Sequence, residues 1–134
     1  MKRTIGTTAL TVGALIASHD LQEGTAHADT VTPRIDLRVL IVRDGGPATD
    51  DIAAELAAAG TPYTEVDLRQ SGRPVIDAGF LADTVDGVPR ARYQAVVLPN
   101  DNPFPANSPE MAALAAYERT YAIPRVDAYT YARP

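Results

Sequence analysis

The stretch Arg38-Val39-Leu40-Ile41-Val42, followed by Arg43-Asp44-Gly45-Gly46-Pro47 and an alanine-rich segment ending at Gly60, constrains this chain more than any other feature. An unbroken aliphatic run without polar alternation suits a strand covered on both faces, as parallel strands are. The two glycines and the proline then turn the chain. Residues 48–59 carry an apolar stripe of Ile52, Leu56 and Ala59 with Ala53 and Ala57 beside it, the pattern of a helix lying on a sheet. Thr49 is expected as the N-cap, Asp50 and Asp51 favour the first turn, and Gly60 supplies the stop.

The rest of the pattern extends this unit. Thr61-Pro62 leads into a second strand, Tyr63 to Leu68, whose alternation suits a sheet edge. Glycines and prolines break up residues 69–92, where the spacing predicts only an extended piece around Val75 to Leu81 and a turn at Val85-Asp86-Gly87-Val88. Ala95-Val96-Val97-Leu98-Pro99 reads as a third, buried strand. Ser108-Pro109-Glu110 opens a second helix with an N-cap, a proline at the first helical position and an acid in the first turn. Its inward face is Met111, Leu114, Tyr117 or Glu118, and Tyr121, and Ile123 to Tyr129 follows as a fourth strand. This order predicts an α/β fold with an open, mostly parallel sheet, a flavodoxin-like or class I amidotransferase-like three-layer sandwich over residues 37–134, with residues 29–36 an extended lead-in. No helix is left to cover the last strand, so the sheet reads as incomplete and the natural chain is expected to continue.

The N-terminus has a different character. Met1-Lys2-Arg3 is basic, Ile5 to Ala17 is weakly apolar and too short for the ~20 residues of a membrane span, and Ala26-His27-Ala28 fits a signal-peptidase site. A signal peptide over residues 1–28, cut between Ala28 and Asp29, implies a secreted, extracellular product that meets no membrane once cleaved. Export would remove both histidines, His19 and His27, and the sole lysine, Lys2; cysteine is absent throughout. Setting aside Lys2, Arg3, Asp20 and Glu23 leaves ten arginines against fifteen acids. An acidic balance of that size argues against a nucleic-acid partner.

Those losses exclude most chemistry. Asp44-Gly45-Gly46-Pro47 lacks the third glycine of a dinucleotide fingerprint, and there is no Walker lysine. Ser71 and Ser108 have no histidine to activate them, and the place of an amidotransferase cysteine is taken by Pro99-Asn100-Asp101. Thr49-Asp50-Asp51 looks like the T-[FY]-D-D of metal-dependent deacetylases, but it opens a helix and no H-x-x-x-H follows. What remains lies at the carboxyl ends of the strands, where an open parallel sheet binds its ligands. The candidate crevice there is Asp44, Gly45, Gly46, Asn100, Asp101 and Asp127, with Asp67 at the second strand. Converging carboxylates would suit a hard cation or sugar hydroxyls, whereas Arg43, Arg69 and Arg125 nearby could simply neutralise them.

Two stretches, RVLIVRDGGPATDDIAAELAAAGTPYTEVDL and MAALAAYERTYAIPRVDAYTYARP, are similar to the N-terminal region of the secreted galactosaminogalactan deacetylase family and its bacterial relatives. The resemblance spans residues 38–134 and implies an accessory region preceding a metal-dependent deacetylase of N-acetylated amino-sugar polymers. The stretches that carry the resemblance contain none of that family's catalytic letters, so it assigns no catalytic residue, metal or cofactor here. The expected role is therefore an exported, non-catalytic accessory domain that scaffolds or binds glycan, partnered by extracellular polysaccharide or by a catalytic domain. Tyr121, Tyr129 and Tyr131 are the candidate sugar-stacking residues. Alternatives are a small carboxylate-based enzyme or metal-binding domain with its site at the strand ends, and a flavodoxin-like small-ligand binder.

Overall fold

The computed structural model describes residues 30–130, and those from Thr32 onward belong to one compact unit. The expected signal peptide, its cleavage point at Ala28 and Asp29, and Tyr131 lie outside the described residues. In chain order the elements are β1 (Arg34–Ile35), β2 (Val39–Arg43), α1 (Pro47–Ala58), β3 (Tyr63–Asp67), α2 (Ala78–Leu81), β4 (Ala82–Val85), β5 (Val88–Ala91), β6 (Ala95–Leu98), α3 (Pro109–Tyr121) and β7 (Arg125–Asp127). The fold is α/β around an open parallel sheet, as expected. Its four strands run in the order β3-β2-β6-β7, every neighbouring pair parallel.

Side-chain alternation along the two central strands builds two cores. Val39 and Ile41 of β2 and Val97 of β6 face α1, meeting Ile52, Ala53 and Leu56. Leu40 and Val42, with Val96 and Leu98, face the other way onto Leu114 and Tyr117 of α3. Helices thus cover both faces of β2 and β6, which is why these strands read as unbroken aliphatic runs.

Several local expectations are corrected. The N-cap of α1 is Gly46, and Thr49 instead lies buried in the first turn, its hydroxyl donating to the Gly46 carbonyl at 3.2 Å. Proline at the first helical position starts the helix two residues before Thr49. The fourth strand contracts to three residues, because the Ile123 amide is used by the Glu118 carbonyl and Pro124 has no N–H. Ala122, in the left-handed conformation, ends α3 there. By contrast, Ser108 caps α3 as expected, accepting from the Glu110 amide at 3.2 Å.

The extended piece expected around Val75 to Leu81 ends in the short helix α2, begun by Asp77, whose carboxylate accepts from the Phe80 amide. Beyond it lies a second sheet, β1-β5-β4, which the sequence pattern did not announce. Asp86 and Gly87 both adopt positive φ in the β4–β5 turn, the geometry of a tight hairpin. The lead-in is not merely extended, since Arg34 and Ile35 pair in parallel with Arg90 and Ala91.

Asp83 lies directly opposite Arg90 in this hairpin and accepts from its Nε at 2.8 Å and Nη2 at 2.7 Å, with Arg92 Nη2 at 2.9 Å. Hydrogen bonds from Arg90, aided by both arginine charges, hold the Asp83 carboxyl down at about 2. A depressed folded value stabilises the sheet above the ordinary carboxylate range and ceases to do so as pH falls through about 2. Amide exchange should accordingly show β4 and β5 losing protection between about pH 4 and pH 2, and Asp83→Asn should flatten that dependence.

Candidate functional site

The turns after β2 and β6 and the loop after β7 bring one crevice together at the carboxyl ends of these strands. Asp44 and Gly46 come from the β2–α1 turn, Pro47, Ala48 and Thr49 from the first turn of α1, Pro99 and Asn100 from the chain leaving β6, and Tyr129 from the chain leaving β7. Its volume is about 250 Å³. The position follows from the strand order. The chain steps one way from β2 to β3 and the other way to β6, so the turns above β2 and β6 diverge and leave a gap between them.

The polar groups in this gap are held by short local bonds. Asp44 Oδ1 accepts from the Gly46 amide at 2.9 Å, and Asn100 Oδ1 accepts from the Asn102 amide at 3.0 Å. The second bond leaves the Asn100 amide nitrogen as that side chain's donor. Tyr129 is 57 % exposed, so its ring edge and face can meet a ligand. Pro47, Ala48 and Pro99 supply apolar wall.

The arginines near the strand ends are already engaged. Arg43 Nη1 binds Glu65 at 3.0 Å, and its Nη2 pairs with Asp50 at the start of α1. Arg69 grips Asp67 with Nε at 3.0 Å and Nη2 at 2.7 Å, and these bonds hold the Asp67 carboxyl down at about 2. The guanidinium also lies against the chain at Gly45, where a Cβ would come within 2.5 Å of Arg69 Nη1. Gly45 has φ +96°, so this position needs glycine for its backbone, and a larger residue would also push the Arg69 side chain aside. Asp44 is therefore the one charged side chain among the residues lining the crevice.

Of the residues expected here from sequence, Asp44, Gly46 and Asn100 do line the crevice, and Tyr129 joins them from the set proposed for sugar stacking. Gly45 lies beneath Arg69, and Asp101 follows Asn100 in the loop without lining the gap. Asp127 points elsewhere. It pairs in register with Leu98, whose side chain belongs to the α3 core, so period-two alternation sends Asp127 to that same face beside Arg125 and Glu118. Tyr121 packs on Tyr117 at a centroid distance of 5.3 Å and lines a different pocket, with Ala78, Leu81 and Ala113, so it does not join Tyr129 in the crevice. Among the described residues, no group of three or more acids or histidines is placed to hold a metal ion.

Compared with protein-family models, curated proteins and solved structures, the chain matches none.

The sequence reading missed Pro47, Ala48, Thr49 and Pro99 as lining residues. Each stands within a few residues of a strand end, so the topological rule that located Asp44 and Asn100 could have included them.

Proposed function

We propose that this chain is an exported, non-catalytic domain that binds an extracellular amino-sugar polysaccharide in the crevice between the β2 and β6 turns. The observation that carries the reading is the conjunction of an exposed tyrosine ring with Asp44 and Asn100 in a gap of about 250 Å³. A pyranose offers an apolar face to an aromatic ring and hydroxyl or amine groups to carboxylate and amide partners. The volume accommodates roughly one such ring, and a pocket open to solvent suits a residue within a polymer.

Charge supports a neutral or amine-bearing sugar over a phosphate. Asp44 repels an anion at the mouth of the gap, and Arg43 and Arg69 are committed to carboxylates of their own. The resemblance to the N-terminal region of amino-sugar polymer deacetylases points to the same ligand class. A signal-like N-terminus is in keeping with an extracellular partner.

Affinity electrophoresis of the purified protein through gels containing N-acetylated or deacetylated amino-sugar polymer tests this. Retardation is expected, reduced about tenfold in apparent affinity by Tyr129→Ala, a loss of about 1.4 kcal/mol. Asp44→Asn keeps the turn-forming oxygen but removes the charge, so it should weaken binding of the amine-bearing polymer more than of the acetylated one. Unretarded migration in every gel would overturn the reading. A yellow protein on purification would instead support a flavodoxin-like ligand, the reading that the strand order alone would favour.

A further inference from the structure

Strands β3 and β7 are the two edges of the parallel sheet, and their exposed backbones differ in what they can accept. In β7 the Pro124 carbonyl receives the Val96 amide and the Ala128 amide donates to the Leu98 carbonyl. Parallel alternation therefore turns the N–H and C=O of Val126 toward β6 and those of Arg125 and Asp127 outward. Two outward-facing residues separated by one inward-facing residue are the repeat of an antiparallel ladder. Arg125 is exposed, and Val126 is 50 % exposed, so nothing among the described residues closes this edge.

We propose that the β7 edge pairs with β7 of a second copy of this chain across a two-fold axis through Val126. An isologous contact must be self-complementary, and the sequence Arg125-Val126-Asp127 is. Antiparallel pairing centred on Val126 sets Arg125 opposite Asp127 of the other copy, twice, with each such pair exchanging two backbone hydrogen bonds. Opposite charges directly across a ladder stabilise it. The two Val126 side chains meet on the α1 face.

The side chains in the single chain are poised for such a partner. Arg125 holds its neighbours at long range, with Nη1 3.6 Å from Glu118 and Nε 3.4 Å from Asp127. Asp127 Oδ1 and Glu118 Oε1 are both shielded from water and lack a hydrogen-bond partner. The Asp127 side chain is nonetheless 23 % exposed, and a guanidinium from the opposing strand approaches it from that open side.

The other edge excludes itself. In β3 the Val39 amide reaches the Pro62 carbonyl and the Leu68 amide reaches the Arg43 carbonyl, which turns Tyr63, Glu65 and Asp67 outward. No register of self-pairing there matches opposite charges: centred on Glu65 it sets Glu65 against Glu65, centred on Val66 it sets Glu65 against Asp67, and like charges facing each other across strands are destabilising. One edge is thus guarded by repulsion and the other complementary to its own copy.

Sedimentation velocity of the whole protein over a concentration series is the test. A reversible dimer is expected, weakened at least tenfold by Arg125→Asp or by Asp127→Arg, and recovered when both substitutions are combined. The unmodified protein gives a second readout that needs no variant: the amides of Arg125 and Asp127 should gain exchange protection as concentration rises, while that of Val126 is already protected. A protein that stays monomeric throughout, a dimer indifferent to both single substitutions, or concentration-independent exchange at Arg125 and Asp127 would overturn the proposal. Thermal unfolding of each variant identifies any that fails to fold, and the exchange experiment then decides.

Discussion

Replacing Glu110 by alanine is expected to destabilise the domain by about 3–5 kcal/mol, the range for removing one partner of a buried ion pair. Glu110 is 6 % exposed although it stands in the first turn of α3. Its carboxylate accepts from Arg73 Nη1 at 2.6 Å and Nη2 at 2.8 Å and from the Ile76 amide at 2.9 Å. These bonds tie the irregular segment after β3 to the start of α3, and Ile76 beside them is wholly buried in the core. Truncation leaves the Arg73 charge and the Ile76 N–H without their partner in a water-poor site. The thermal midpoint should fall on the order of 20 °C.

Glu110→Gln separates shape from charge. The amide keeps an acceptor for Ile76 but cannot neutralise Arg73, so a smaller loss is expected. The acid profile carries a further signature. Hydrogen bonds from Arg73, opposed by burial and helped by the Ile76 amide, hold the Glu110 carboxyl below its ordinary value of 4.5. Its contribution is complete above that value and disappears as pH falls through the lower folded one. Urea unfolding followed from pH 7 downward should therefore show a steep acid loss in the native chain that is shallower in Glu110→Gln. Equal stability of the three proteins at pH 7 would refute this role for the pair.

The features legible in the sequence were those whose cause is local. An aliphatic run announced β2 and β6, and a Ser-Pro-Glu triplet announced the start of α3. The β1-β5-β4 sheet was not legible, because β1 has two residues and pairs with a strand far along the chain. No period-two pattern can emerge from a pair of residues, and Asp83, Pro89 and Arg90 give β4 and β5 the composition of a loop. What orders them is the clamp of Arg90 and Arg92 on Asp83, a contact visible only once the hairpin has folded.

The crevice was legible in place but not in membership. Strand ends in a parallel sheet point to one edge, so Asp44 and Asn100 followed from topology. Whether a residue near a strand end enters the gap depends on register, which decided against Asp127, and on long side chains folding back, which laid Arg69 against the exposed Gly45. The Gly45-Gly46 turn is likewise closed to an anion by a local side chain. Asp44 itself accepts the Gly46 amide that a phosphate would need, so the turn is satisfied internally.

Tyr117→Phe should cost about 2–3 kcal/mol, more than a surface hydroxyl could. The Tyr117 hydroxyl accepts from the Tyr93 amide at 2.9 Å and donates to the Tyr93 carbonyl at 2.5 Å, closing both main-chain groups of one residue. Tyr93 lies in the link between the small sheet and β6, is 5 % exposed, and stacks on Phe80 at 5.8 Å. No neighbouring strand supplies partners there, so α3 supplies them through one phenol. Phenylalanine fills the same space and leaves a buried N–H and a buried C=O unpaired, which isolates the hydrogen bonds from packing. Burial pushes the Tyr117 phenol up to about 12. A raised folded value means that the neutral phenol stabilises the domain fully below about pH 10 and progressively less as pH rises toward 12. Denaturant midpoints should therefore decline across that alkaline window in the native chain and less steeply in Tyr117→Phe. A variant as stable as the native chain at pH 7 would show that water, rather than α3, satisfies Tyr93.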